Sequence, residues 1–276
     1  MIQHIADTTT LNNGVKMPWL GLGVYKTTEG QEVRQAVSTA LAQGYRSIDT
    51  AALYGNERGV GEALKASELS RDSVFVTTKV WNSEQGYEST LRAFEDSRQR
   101  LGLEFIDLYL IHWPVKGKFK DTWNALEKLY NEGRVRAIGV SNFQIHHLEE
   151  LLSQAKVVPA VNQVEYHPRL TQEDLRLYCR KHNIQMEAWS PLMRGQVLTH
   201  PVVEEISRKY GKTSAQVVLR WELEQQVVTI PKSVHPNRIA ENANLFDFAL
   251  NPQEIAQISN LNENHRVGPN PDDFEF

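Results

Sequence analysis

Four residues with chemically useful side chains stand at the ends of short apolar runs: Asp49, Tyr54, Lys79 and His112. Ser47-Ile48 leads into Asp49, with Tyr54 shortly after. Val74–Thr78 leads into Lys79 and then Trp81, and Ile106–Ile111 leads into His112 and Trp113. Each alone has an ordinary explanation. An Asp after a strand is often a helix cap, and a Tyr is often half-buried packing. Together, at successive strand ends, they share one chemistry, carbonyl reduction. Hydride addition to a carbonyl leaves an oxyanion that needs a proton and positive electrostatics. A Tyr hydroxyl can donate that proton, although its ordinary pKa of about 10 makes it reluctant near neutrality. A cation beside it favours the phenolate, so Lys79 is expected to lower the Tyr54 pKa. Asp49 would hold Lys79 charged and oriented, and His112 would hydrogen-bond the substrate oxygen. None of the four can supply hydride, so a cofactor is required. Tyr25, Trp81 and Trp113 also fall just beyond strand ends and are read as an apolar substrate mouth, against the plainer reading of core or rim packing.

The elements that must position these residues alternate along the chain. Strand candidates are Leu20–Gly23, Ser47–Asp49, Val74–Thr78, Ile106–Ile111, Ala137–Val140, Val161–Val164, Gln185–Ala188 and Val228–Ile230. Helical patterns lie between them, near Gln31–Gln43, Arg58–Lys65, Tyr87–Leu101, Thr122–Asn131, Ile145–Ala155, Gln172–His182, Val202–Tyr210 and Ser214–Gln225. Short apolar strands alternating with helices imply a parallel sheet covered on both faces. An open doubly wound sheet would usually carry a Gly-rich phosphate loop, and here Gly21 and Gly23 give only Gly-x-Gly. The eightfold alternation favours a closed (β/α)₈ TIM barrel with the site at the C-terminal strand ends. Ahead of it, Thr8–Met17 reads as a β-hairpin turning at Asn13-Gly14 and capping the end opposite the site. No linker or low-complexity segment interrupts the chain, so residues 1–276 are expected to form one barrel domain.

Composition narrows the function classes. Of 276 residues, 41% are hydrophobic, enough for a large core, and the formal charge of −4 without a Lys/Arg run disfavours nucleic acid as a partner. No stretch of about 18 apolar residues suggests a membrane span, and the N-terminus lacks a signal-peptide pattern. The single Cys179 excludes an internal disulfide, fits a cytoplasmic location and reads as helix packing. A monomer is expected. The histidines at 146, 147 and 167 lack a second cluster at metal-ligand spacing, so no metal site is assigned.

Over nearly its full length the chain resembles the aldo-keto reductase superfamily. The resemblance rests on Gly44–Ala51 with Tyr54-Gly55-Asn56-Glu57, Thr78-Lys79-Val80-Trp81, Asp107–Pro114 and Ile138–Phe143. It continues through Asn162-Gln163-Val164-Glu165, Trp189-Ser190-Pro191-Leu192, Ile230-Pro231-Lys232-Ser233, Arg238 and Glu241-Asn242. Within the superfamily the chain looks most like bacterial reductases of glyoxal and methylglyoxal. The resemblance implies NADPH-dependent reduction of small aldehydes and ketones, with Asp49, Tyr54, Lys79 and His112 as the catalytic set and Tyr54 the proton donor. It implies that Ser141, Asn142 and Gln163 hold the nicotinamide carboxamide. Without it, Ser141-Asn142 reads as a helix N-cap. Trp189 stands where the family commonly has a Tyr stacked on the nicotinamide. Ser190, Pro191 and Leu192 would border the phosphates. Lys232, Ser233, Val234 and Arg238 would surround the 2′-phosphate, and Glu241 and Asn242 the adenine. The loops Val115–Asp121 and Met193–Pro201 and the tail after Leu261 are short, which suggests an open pocket and a broad substrate range. Two other readings stay open within the family: a diketogluconate-type reductase of keto-sugar acids, and a non-catalytic dinucleotide-binding protein. A Schiff-base enzyme using Lys79 is a third.

Overall fold

A computed structural model describes residues 2–274. The chain opens on an antiparallel hairpin of β1 (Thr8–Thr10) and β2 (Lys16–Pro18). Its turn carries Gly14 at φ +87°, and the Asn13 side chain donates to the Arg136 carbonyl at 2.9 Å, which fastens the hairpin to the barrel. Eight strands follow: β3 (Leu22–Gly23), β4 (Ser47–Asp49), β5 (Phe75–Val80), β6 (Ile106–Ile111), β7 (Val135–Ser141), β8 (Val161–Glu165), β9 (Gln185–Trp189) and β10 (Val228–Thr229). All pair in parallel and in chain order. The parallel bridges Leu20–Thr229 and Gly23–Lys232 join the first strand to the last and close the ring. This is a (β/α)₈ barrel.

Helices α1 (Gln31–Ala42), α2 (Glu57–Ala66), α3 (Tyr87–Leu101), α4 (Phe119–Asn131), α5 (Ile145–Leu152) and α6 (Glu173–Lys181) lie between successive strands. Two helices, α7 (Pro201–Tyr210) and α8 (Ser214–Glu224), precede β10, and α9 (Pro236–Ala243) and α10 (Pro252–Ser259) follow it. Side chains alternate across each strand. Outward residues such as Ile48, Val76, Tyr109, Ile138 and Val164 join the helices in the larger apolar cluster. Inward residues near the strand starts, Phe75, Leu108, Ala137, Val161 and Val228, pack with Leu11 and Met17 of the hairpin. The hairpin therefore plugs the N-terminal end, and the opposite end is left for chemistry.

Four strands, β5, β7, β8 and β9, run slightly further at their C-terminal ends than their apolar runs suggest, while β3 and β10 are shorter than expected. β5 extends through Lys79 to Val80 and β7 through Ser141. Apolar periodicity stops where inward positions turn polar, which is where the barrel changes from plug to site.

Candidate active site

Tyr54 ends a single 3₁₀ turn, Ala52–Tyr54, closed by Gly55 at φ +66°. That left-handed closure suits a residue without Cβ. Asn56, next in the chain, is fully buried and ties the turn down. Its side chain donates to Val24 O at 2.9 Å and Thr27 O at 3.0 Å, and accepts from Thr50 Oγ1 at 2.7 Å. Below it, Glu57 accepts from Thr78 Oγ1 at 2.6 Å and pairs with Arg100 at 2.6 Å. Asn56 and Glu57 belong to the quoted motif, but only the structure gives them this supporting part.

Lys79 projects inward from β5 and is wholly buried. Its ammonium has three donors, and all three are engaged: Asp49 Oδ1 at 2.7 Å, Thr50 O at 3.0 Å and Tyr54 Oη at 3.4 Å. Burial works against its charge, but Asp49, with Tyr54 and Glu187, outweighs burial and holds the Lys79 pKa above the ordinary lysine value. The Tyr54 hydroxyl differs from the sequence expectation. Burial pushes it up to about 12, and the pull of Lys79 only offsets this in part. A ring packed among protein atoms loses more phenolate hydration than one cation restores at 3.4 Å. His112, just past β6, lies with its ring 5.8 Å from that of Tyr54 and 5.1 Å from that of Trp81, both edge-on. Burial and then Lys79 hold its pKa well below the ordinary value, so the imidazole is neutral, and its Nδ1 is buried without a hydrogen-bond partner among the described residues.

The network continues across the barrel. Gln163 on β8 donates from Nε2 to Asp49 Oδ2 and to Glu187 Oε2, both at 2.8 Å. Glu187 stands opposite Gln163 in the β8–β9 register and is fully buried. Burial, then the neighbouring Asp49 carboxylate, push its pKa up to about 8. Sequence reasoning passed over Glu187. The available signal was its place between Gln185 and Trp189 at alternating, same-face positions of a strand.

Ser141 and Asn142 do not cap a helix, because α5 starts from Gln144. Asn142 takes φ +65°, a region Asn tolerates better than most residues. Its Nδ2 donates to His112 O at 3.0 Å and Ser141 Oγ at 3.1 Å, and its Oδ1 accepts from Trp189 Nε1 at 2.8 Å. Ser190 follows at φ +56°, and Pro191 and Leu192 turn the chain away from the β9 end.

Lys232, Ser233 and Val234 lead into α9, which carries Arg238, Glu241 and Asn242. Lys232 and Arg238 are exposed, and neither side chain ends on a hydrogen bond or salt bridge with another described residue. Two free cations at one helix start suit a phosphate dianion. Ser233 is buried, its Oγ accepting the His235 N–H at 3.1 Å. Asn242 is buried, and Glu241 is held to α8 by the Thr213 hydroxyl at 2.9 Å.

Tyr25 is half exposed, its ring 5.0 Å from that of Tyr54. Trp113 is largely buried, and here the structure departs from an open mouth. The short tail folds back and sets Phe274 against Trp113, ring centroids 4.6 Å apart. Asp272 of the same tail lies 3.2 Å from His146 Nε2 and 3.9 Å from His147 Nε2, so the histidine pair has a third potential ligand that the sequence does not place there. Gln144 N–H donates to His147 Nδ1 at 3.1 Å. That puts the proton of this imidazole on Nε2, which then has no lone pair for a metal. Cys179 is buried in α6, and burial pushes its thiol up to about 12, away from reactivity.

Comparison with known proteins follows the same outline. The Aldo/keto reductase family model matches residues 19–263. The glyoxal reductase of Bacillus subtilis is 58% identical over all of both chains, and the methylglyoxal reductase DkgA of Salmonella typhimurium 47% identical over 96% of each. A mutant of Gox0644, solved in complex with NADPH, superposes with a TM-score of 0.93 at 44% identity, covering 98% of each chain. With a family match across most of its length and relatives this similar end to end, the chain belongs to the Aldo/keto reductase family.

Proposed function

We propose that the chain reduces small aldehydes and ketones to alcohols with NADPH, 2-oxoaldehydes such as glyoxal and methylglyoxal among them. The observation that carries this reading is the buried Lys79 ammonium, held by Asp49 at 2.7 Å and pointed at the Tyr54 hydroxyl at 3.4 Å beside a neutral His112. NADPH, when bound, supplies the hydride.

Neutral His112 can donate one hydrogen bond to the carbonyl oxygen without competing for the proton that must follow. Tyr54 gives that proton. A pKa of about 12 makes it a weak acid toward water, yet an alkoxide is the stronger base, so transfer runs downhill. Lys79 stabilises the phenolate left behind, and Asp49 keeps Lys79 charged. Ser141, Asn142 and Gln163 would hold the carboxamide, Trp189 would stack on the ring, and Ser190, Pro191 and Leu192 would border the phosphates. Lys232, Ser233, Val234 and Arg238 would hold the 2′-phosphate, with Asn242 and the backbone around Glu241 toward the adenine. Tyr25, Trp81 and Trp113 would line the mouth, with Phe274 narrowing it. Such a mouth offers sugar hydroxyls few partners, and a site without partners cannot select for them. NADPH consumption tests this with methylglyoxal, a nitrobenzaldehyde, xylose and a keto-sugar acid. The first two are expected to have the highest kcat/KM. A keto-sugar acid preferred by a wide margin would assign the chain to the diketogluconate-type reductases instead.

A further inference from the structure

Gly268, in the tail that follows α10, has a φ outside the left-handed region. Its lack of a side chain is therefore not a matter of backbone freedom. A Cβ there would lie 2.3 Å from Cη2 and 3.0 Å from Cζ3 of Trp189, and 3.3 Å from Glu165 Oε2. The glycine makes room for the far ring of the indole. A phenol at position 189 lacks the second ring that the indole sets to one side of its Cβ–Cγ axis, so the space at Gly268 and the Trp at 189 belong together.

The backbone beside Gly268 is not loose. Glu165, buried at the end of β8, accepts from Val267 N at 2.6 Å and from Gly268 N at 3.2 Å. His167 holds the same carboxylate at 3.0 Å. These bonds span about a hundred residues of sequence and give the tail one fixed seat. At its other edge the indole donates from Nε1 to Asn142 Oδ1 at 2.8 Å, and Asn142 reaches the His112 carbonyl and Ser141 Oγ. A continuous set of contacts thus runs from Glu165 through Gly268 and Trp189 to Asn142.

We propose that Glu165 and Gly268 are positioning residues for the nicotinamide end of the cofactor site: the tail, seated on Glu165, fixes the tilt of the Trp189 indole, and the indole fixes Asn142. This rests on the reading that Trp189 and Asn142 face the nicotinamide. The adenosine end, at Lys232 and Arg238, lies outside this set of contacts and is independent of it.

The test is a double-mutant cycle of Gly268→Ala and Trp189→Tyr in the full chain. It measures the Kd of NADPH, the Kd of 2′,5′-ADP, which lacks the nicotinamide, and kcat with methylglyoxal. Gly268→Ala is expected to weaken NADPH by about tenfold, the size of penalty that one methyl forced into filled space commonly carries. It should lower kcat and leave 2′,5′-ADP binding unchanged. Adding Trp189→Tyr should restore most of that loss, because the smaller ring vacates the clash. Equal effects on NADPH and 2′,5′-ADP, additive effects in the cycle, or no effect of Gly268→Ala would each overturn the proposal. If Gly268→Ala fails to fold, by circular dichroism, Glu165→Gln takes its place. It is expected to weaken NADPH, spare 2′,5′-ADP and expose the tail to limited proteolysis, and unchanged NADPH binding would refute the seat. Wild-type protein that neither binds NADPH nor reduces any carbonyl would defeat the functional reading itself, a separate result from a cycle without coupling.

Discussion

The two ends of the barrel interior are filled by opposite kinds of residue on the same strands. Near the hairpin, Leu11, Met17, Phe75, Leu108, Ala137, Val161 and Val228 form a closed apolar plug. A few residues further along, Asp49, Lys79, His112, Gln163 and Glu187 face the same axis, all buried and all polar. The plug gains free energy from every side chain it buries, about 1.5–3 kcal/mol for a Leu or Val. The polar end gains much less, because each buried charge loses hydration that its partners must replace. Stability and chemistry are therefore separated along one axis, and each end can be altered with little effect on the other.

The largest effect expected at the polar end is that of Tyr54→Phe. General acid catalysis contributes roughly 10²–10⁴-fold, so kcat for methylglyoxal should fall by that range while NADPH affinity and melting temperature stay near wild type. A loss of less than about tenfold would remove Tyr54 from the acid role. At the plug end, Leu108→Ala should cost about 2–5 kcal/mol of stability in denaturant unfolding and leave kcat/KM of the folded fraction nearly unchanged. A comparable loss of kcat/KM in folded protein would show that the two ends are not separable. Arg238→Ala removes an exposed cation from α9, and charge-assisted hydrogen bonds are worth about 1.5–3 kcal/mol. NADPH binding should weaken by about tenfold or more with NADH almost unaffected, by titration calorimetry, and equal weakening of both would refute the 2′-phosphate assignment.

The plug and the strands were legible because burial writes itself into local pattern. The alternation of apolar runs placed β4 to β9 within a few residues, and Asn13-Gly14 marked the hairpin turn. The cluster around Lys79 was legible because Asp49, Lys79 and His112 stand where apolar runs end. What sequence could not supply are quantities set by distant contacts. The Tyr54 hydroxyl was expected to be acidified by Lys79, but net burial decides its pKa. The tail beyond Leu261 has no periodicity, and its seat on Glu165 and its contact with Trp113 join segments far apart in the chain. Glu187 carries no motif of its own, and only the β8–β9 register puts it against Gln163.

Read over a single pH unit, Glu187 gives the smallest expected effect, and the sharpest test of the contrast. Asp49 and Glu187 share the two N–H groups of one amide, and among the described residues only Lys79 is at hand to balance their charge. Burial and the neighbouring Asp49 carboxylate push the Glu187 pKa up to about 8, so Glu187 is the carboxyl expected to hold a proton near neutrality. A carboxyl whose folded pKa lies above its unfolded value contributes fully to stability below the unfolded pKa. That contribution is lost as pH rises from about 4.5 towards about 8. Between pH 6 and 7 the loss is at most about 1.4 kcal/mol for one proton. Glu187→Gln keeps an acceptor for Gln163 and cannot titrate, so its stability should be flatter than wild type across that interval and parallel to it above pH 9. Urea unfolding at five pH values between 5 and 10 measures the difference. Parallel curves throughout would mean that Glu187 is ionised in the folded protein, and that the polar end balances its charges without a buried proton.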